Sequence, residues 1–194
     1  MQRLSTEGFG VIKTNDIREL SAEFDLMSRL IDYPTEELAE LSADKDSELS
    51  EILCQLQAQP LQELQEHYIE LFEMNKKMTL YLTFYRFEDS RERGGMLAKL
   101  KMLYEMFGVS LPNAELTDFL PAMLEFLSVG DFEDESPERL RDLELLFSVM
   151  EDGTYQLLQA FKGIENEPYH DLIQYIRRIL RRCVSVEAVE KVAV

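Results

Sequence analysis

Apolar residues recur at helical spacing along most of this chain. Leu20, Phe24, Met27, Leu30 and Ile31 form one stripe, ended by Pro34. Intervals of three and four put such side chains on one face of a helix, where they can be buried together. Leu49, Ile52, Leu53 and Leu56 form a second stripe. Pro60 suits the first position of a third helix, where its missing N–H is no loss, and Leu61, Leu64, Tyr68, Leu71 and Phe72 follow on the inner face. Met96, Leu97, Leu100, Leu103, Tyr104 and Phe107 predict a long helix closed by Gly108. Another runs from about Asp118 through Leu120, Met123, Leu124 and Leu127 to Gly130. Ser136-Pro137 reads as a cap and first-turn proline ahead of Leu140, Leu143, Phe147 and Met150. A separate short helix around Tyr155, Leu158 and Phe161 is expected to end at Gly163. The last helix starts near Pro168 and carries Tyr169, Leu172, Ile173, Ile176, Ile179, Leu180 and Cys183 on one face.

One stretch breaks this pattern. Leu80-Tyr81-Leu82-Thr83-Phe84-Tyr85-Arg86-Phe87 has the aromatic-rich composition of a strand. A lone strand in a helical chain would leave its backbone groups without partners, so the expectation is a buried helical or irregular segment crossing the middle of a bundle. The chain as a whole reads as a single all-α domain over 1–194. Gly130–Glu135 is the best loop candidate, and 1–15 and 184–194 are expected to be flexible.

Composition supports a folded core: 194 residues, 45% hydrophobic and 10% aromatic. The net charge of −18 adds more. It argues against nucleic acid and anionic membrane surfaces as partners, and favours solubility or a partner of positive charge. The charge is uneven: twelve acidic residues lie between Glu115 and Asp152 against Arg139 and Arg141, while Arg177, Arg178, Arg181 and Arg182 cluster near the end. No apolar run approaches the roughly 18–20 residues of a membrane span, and the opening stretch lacks the pattern of an export signal. Cys54 and Cys183 have neither metal nor redox spacing. A reduced, cytoplasmic protein is expected, with no direct membrane insertion.

Candidate chemistry is sparse. His67 and His170 are the two histidines. Glu167-Pro168-Tyr169-His170 has the Glu-x-x-His spacing of di-iron bundles, but the second such motif is missing. Glu167 at a helix start is accounted for by the helix dipole. Phosphate-binding loops and nucleophile elbows do not occur, so no catalytic residue, metal or cofactor is expected. In Thr117-Asp118-Phe119-Leu120-Pro121 the proline is tolerated only in a first helical turn, which makes Asp118 an N-cap candidate. Arg91, Glu92 and Arg93 read as decoration on a solvated helix start. Tyr81, Phe84, Tyr85, Phe107 and Phe126 read as core, with some open to lining a groove for an apolar helix face.

Leu80-Tyr81-Leu82-Thr83-Phe84-Tyr85, followed by Asp89-Ser90-Arg91-Glu92-Arg93-Gly94, resembles the central motif of the NarJ-type nitrate reductase molybdenum cofactor assembly chaperones. Glu115-Leu116-Thr117-Asp118-Phe119-Leu120-Pro121 with Leu124-Glu125-Phe126 resembles a second signature of that family. Leu100-Lys101 and Tyr104 fit the helix between them. Tyr68-x-x-Leu71-Phe72 is similar to an element of the wider molybdoenzyme chaperone group that includes TorD and DmsD. The specific matches cover roughly Tyr68–Leu127. The chain departs from the family pattern at Phe119, where His is usual, at Thr117, where Pro is usual, and at Glu88, where Gly is common.

The resemblance implies a TorD/NarJ-like helical bundle without enzymatic activity or a cofactor of its own. Such a chaperone binds the catalytic (alpha) subunit of a respiratory nitrate reductase at its N-terminal segment. It holds that client ready for molybdenum cofactor insertion and delays membrane docking. The matched motifs, together with the few aromatic anchors that dominate helix-in-groove binding, place Tyr81, Tyr85, Asp118, Leu124 and Phe126 on the gripping surface, with Tyr68 and Phe72 supporting it. Two other readings stand beside this one: a chaperone of a dimethyl sulfoxide or trimethylamine oxide reductase, and a helical regulatory adaptor.

Overall fold

The computed structural model describes residues 10–111 and 115–185. The apolar stripes become the buried faces of helices. After a short strand β1 (Val11–Ile12) and helix α1 (Thr14–Glu19), α2 (Ser21–Ile31) buries Phe24, Met27, Leu30 and Ile31. A 3-10 turn at Glu36–Glu40 leads to α3 (Glu48–Gln57), whose Ser47 hydroxyl accepts from the Ser50 amide as a helix cap. In α4 (Leu61–Tyr68), Pro60 stands just before the first turn rather than inside it. The helix then widens into a π turn at Ile69–Glu73, closed by the Met74 amide donating to the Ile69 carbonyl at 2.9 Å.

A single helical turn, α5 (Phe84–Phe87), precedes α6 (Arg91–Met106), and Gly108 at φ +77° ends α6 in a conformation only glycine takes freely. The bundle is completed by α7 (Leu120–Val129), α8 (Pro137–Ala160) and α9 (Pro168–Arg182). The fold is all-α. Helix α2 packs most extensively on α7, where the Ser28 hydroxyl donates to the Pro121 carbonyl at 2.8 Å. Helix α9 is wedged among α2, α3 and α8, which explains why it is buried on so wide a face.

Two expectations change. The helix at Ser136-Pro137 does not end near Met150: α8 runs unbroken to Ala160 and absorbs the short helix expected around Tyr155. Gly153 and Thr154 lie inside it, the threonine hydroxyl bonded to the Met150 carbonyl of its own helix. The chain ends also differ. Val11 pairs with Ser185 and Ile12 with Val184 in an antiparallel pair formed by β1 and β2 (Val184–Ser185). The Lys13 amide extends the pairing to the Cys183 carbonyl at 2.8 Å. A Cβ on Gly10 would fall 1.7 Å from the Ser185 carbonyl oxygen, so a side chain there is excluded. The expected flexibility of 1–9 and 186–194 lies outside the described residues. Among the described residues no helix is long and apolar enough to cross a membrane.

Candidate functional site

The strand-like segment finds its backbone partner in the second motif. The Leu120 amide donates to the Leu80 carbonyl and the Leu82 amide to the Asp118 carbonyl, both at 2.9 Å. Tyr81 and Phe119 thereby form an isolated antiparallel bridge with their rings 5.1 Å apart. Two residues of pairing satisfy the buried amides, and the chain then turns into α5. Leu80, Leu82 and Thr83 point inward, whereas Tyr81, Phe84, Tyr85 and Phe87 are half-exposed. The segment is thus irregular, with one bridge and one helical turn, as its helical context rather than its strand-like composition implied, and only part of it is buried.

Asp118 is the hub of this junction. It is 0% exposed and does not cap α7: Phe119 holds the N-cap position, with no side-chain cap bond. Instead, the Thr83 amide and hydroxyl both donate to Asp118 Oδ2. Arg93 Nη2 lies 3.1 Å from the same oxygen, and Arg93 Nε donates to the Thr83 hydroxyl at 3.1 Å. The Arg93 side chain is only 12% exposed, so it is a buried ion-pair partner and not a surface decoration. Ser90 fixes its approach by capping α6, its hydroxyl accepting from the Arg93 amide. Farther along α6, the Tyr104 hydroxyl donates to the Thr117 carbonyl at 2.7 Å, and the Thr117 hydroxyl donates to the Leu97 carbonyl at 2.9 Å. The two sequence motifs are therefore parts of one polar lock around α6.

Helix α8 sets the depth of the segment. A Cβ on Gly153 would sit 2.5 Å from Leu82 Cβ, closer than carbon atoms approach, so glycine lets the segment lie directly on the helix. Beyond α5, Glu88 adopts φ +47°, ψ −141°. That backbone region is strained for a residue with a side chain, and Glu88 is one of the positions at which the chain departs from the resemblance.

Phe84, Tyr85, Phe87, Glu88 and Asp89 line a groove of about 780 Å³, together with Lys76 and Lys77 and with Gln156 and Gln159 of α8. Tyr85 is held by its hydroxyl, which donates to the Thr79 carbonyl at 2.8 Å, and burial pushes its phenol well above the ordinary value. The Tyr81 hydroxyl lies 3.3 Å from Glu115, and its phenol is raised by burial and then by that carboxylate.

The seven residues singled out in the sequence fall into three places. Tyr81 and Tyr85 reach the surface on the central segment, with Asp118 beneath them as internal support. Leu124 and Phe126 are completely buried, Phe126 among the rings of Tyr104, Phe107 and Phe132, and present no surface to a partner. Tyr68 and Phe72 belong to a separate aromatic cluster with Tyr33, Phe161 and Tyr169, positioned by the π turn. Sequence reasoning passed over Arg93, Thr83 and Gly153. A charged residue in each motif, Asp118 in one and Arg93 in the other, was the available signal for the first. Glu167 turns to His67, with Oε2 and Nε2 2.8 Å apart, while His170 faces Asp171 and Gln174. Among the described residues no three metal-ligating side chains converge.

The model of the nitrate reductase delta subunit family matches residues 35–161. The chain belongs to that family, with the NarJ-type chaperones. A probable nitrate reductase molybdenum cofactor assembly chaperone, NarJ of Bacillus subtilis (strain 168), is 41% identical over 68 residues, which is 35% of this chain and 37% of the relative. The probable chaperone NarW of Escherichia coli (strain K12) is 30% identical over 169 residues, 84% of this chain and 69% of the relative. NarJ of the same strain, named a nitrate reductase molybdenum cofactor assembly chaperone, is 29% identical over 142 residues, 66% of this chain and 60% of the relative. The chain thus spans little more than a third of the Bacillus relative and well over half of the Escherichia ones. The matched block contains the whole junction from Leu80 to Phe126.

Proposed function

We propose that this protein is a system-specific, non-enzymatic chaperone. It binds the catalytic subunit of a respiratory nitrate reductase at its N-terminal segment and supports molybdenum cofactor insertion before the client docks at the membrane. The names of the relatives support the assembly role. The observation that carries the binding mode is the half-exposed aromatic groove at Phe84, Tyr85 and Phe87, mounted on a segment that Asp118, Arg93 and Gly153 hold rigid. A few rigid aromatics in a groove are what an amphipathic peptide helix needs as anchor points. The charge of −18 adds attraction for a basic segment. Relatives named for nitrate reductase favour that client over a dimethyl sulfoxide or trimethylamine oxide reductase.

The test is calorimetric titration with a synthetic peptide of the client's N-terminal segment, alongside thermal unfolding. Tyr85→Ala and Phe87→Ala, both in the groove lining, are expected to weaken binding about tenfold or more while the fold survives. Phe126→Ala is expected to lower stability by about 3–5 kcal/mol, as removal of a buried aromatic does. Unchanged peptide affinity in both groove variants would refute the groove. Absence of nitrate reductase from affinity pull-downs, with another molybdoenzyme in its place, would refute the client.

A further inference from the structure

We propose that the hollow between α8 and α9 binds a small organic phosphate, its phosphoryl group held by Lys162, Arg178 and Arg181 and its apolar body by Tyr155 and Leu158. The site stands apart from the chaperone reading and does not depend on it. The hollow has a volume of about 450 Å³, within the range of small-molecule sites. Four cationic side chains line it, Lys162, Arg177, Arg178 and Arg181, against one lining carboxylate, Glu165. In a chain of net charge −18 such a concentration of cations runs against the bulk composition.

The carboxylates that approach from behind do not exhaust these donors. Glu151 Oε1 accepts from Nη2 of both Arg177 and Arg181, Glu48 accepts from Arg178 Nη2, and Asp171 faces His170. An arginine has five N–H donors, and among the described residues Arg178 and Arg181 each give only Nη2 to a carboxylate. Both side chains are about half exposed, and the Arg178 guanidinium also lies over the Tyr175 ring, 4.9 Å from its centroid. Lys162 is exposed and has no ion-pair partner among the described residues. Arg177 is the built part of the wall. Its side chain is 2% exposed, Nη1 is fixed by the Glu151 carbonyl and the Thr154 hydroxyl, and Nε is buried without a partner. Burying this guanidinium is unfavourable; Glu151 offsets it at Nη2, and Nε is left without a partner.

Phosphate suits the arrangement better than carboxylate. A phosphoryl group carries a charge of about −1.5 to −2 and three acceptor oxygens at neutral pH, which suits a hollow lined by several cations, and arginine forks fit its geometry. The Tyr155 ring, Leu158 and the aliphatic stems of the arginines supply an apolar wall for the rest of the ligand.

The experiment is calorimetric titration of the full chain with phenyl phosphate, using inorganic phosphate and benzoate at equal ionic strength for comparison. Phenyl phosphate is expected to bind one to one and more tightly than either. Arg181→Ala and Lys162→Ala are each expected to weaken it by about tenfold, the loss of one charge-assisted hydrogen bond. Both side chains are exposed enough for the melting temperature to stay near the parent's, and Arg29→Ala, outside the hollow, should leave binding intact. No binding of phenyl phosphate overturns the proposal. So does equal binding of benzoate or inorganic phosphate, an effect of Arg29→Ala as large as the others, or indifference to both hollow substitutions.

Discussion

Arg93 on α6 reaches across twenty-five residues of sequence to meet Asp118 at 3.1 Å, and Asp118 is completely buried. The buried Asp118 carboxylate has Arg93 as its cationic partner, whereas Arg93 also reaches the exposed Asp89 at 3.4 Å. Asp118→Asn and Arg93→Met should each destabilise the fold by about 3–5 kcal/mol, since removing one partner strands the other. Removing both should cost much less than the sum. Denaturant unfolding of the two single variants and the double variant gives the coupling. Strictly additive losses would show that the pair does not act as a unit.

Glu88 provides a gain-of-stability test. Its φ of +47° with ψ of −141° is strained for glutamate and open to glycine. Glu88→Gly should raise stability by about 1 kcal/mol, the relief of strain exceeding the added freedom of the unfolded chain. The urea midpoint reads it, with Glu88→Ala, which keeps a Cβ, as the control. Equal shifts in the two variants would dismiss backbone strain as the cause.

At Gly153 two effects oppose. Alanine improves helix propensity by about 1 kcal/mol, yet its Cβ would lie 2.5 Å from Leu82 Cβ. Neither atom can rotate away, so overpacking of about 1–3 kcal/mol should prevail. Gly153→Ala is expected to lower stability by about 1 kcal/mol or more and to push the central segment outward, weakening peptide binding as well. A stabilised variant would mean that the segment can shift at little cost.

Alkaline pH should loosen the core. Burial raises the phenols of Tyr68, Tyr85, Tyr104 and Tyr169 and pushes the Cys183 thiol up to about 12. A group with a raised folded-state pKa favours folding fully below its unfolded value. That contribution is lost as pH rises toward the folded value. Stability should therefore decline from the thiol's ordinary 9.0 upward and more steeply above the phenols' 10.0. Unfolding midpoints across that range test the trend, and thiol labelling gives a local check. Exposed Cys54 should react at once and Cys183 only on unfolding; equal labelling rates in the native protein would contradict the burial.

Much of this architecture was legible because stripes such as Tyr169-Leu172-Ile173-Ile176 leave a helix no other way to bury its apolar face. The failures have particular causes. Gly153-Thr154 reads locally as a break, but contact with Leu82 and the Arg177 bond to the Thr154 hydroxyl keep α8 continuous. Asp118 reads as a cap because local rules see only its own helix, whereas its partners, Thr83 and Arg93, come from a distant stretch. Phe126 reads two ways in the sequence, as core from its type and setting and as part of the gripping surface from the matched motif. A motif marks it as important, and only packing shows that its importance lies in the core. Two-residue strands carry too little pattern to be seen at all.

The pairing of Val11–Ile12 with Val184–Ser185 has a consequence for how the protein is made. The first of these strands is synthesised 174 residues ahead of Ser185 and has no partner until α1 to α9 have followed it. Helix α1, tied to that pairing through the Lys13 amide, can take up its final position only once Cys183 has followed. Closing a loop of this length is among the slower steps of folding. The bundle is therefore completed only once Val184 and Ser185 have been made, and a product that stops short of them cannot close the clasp.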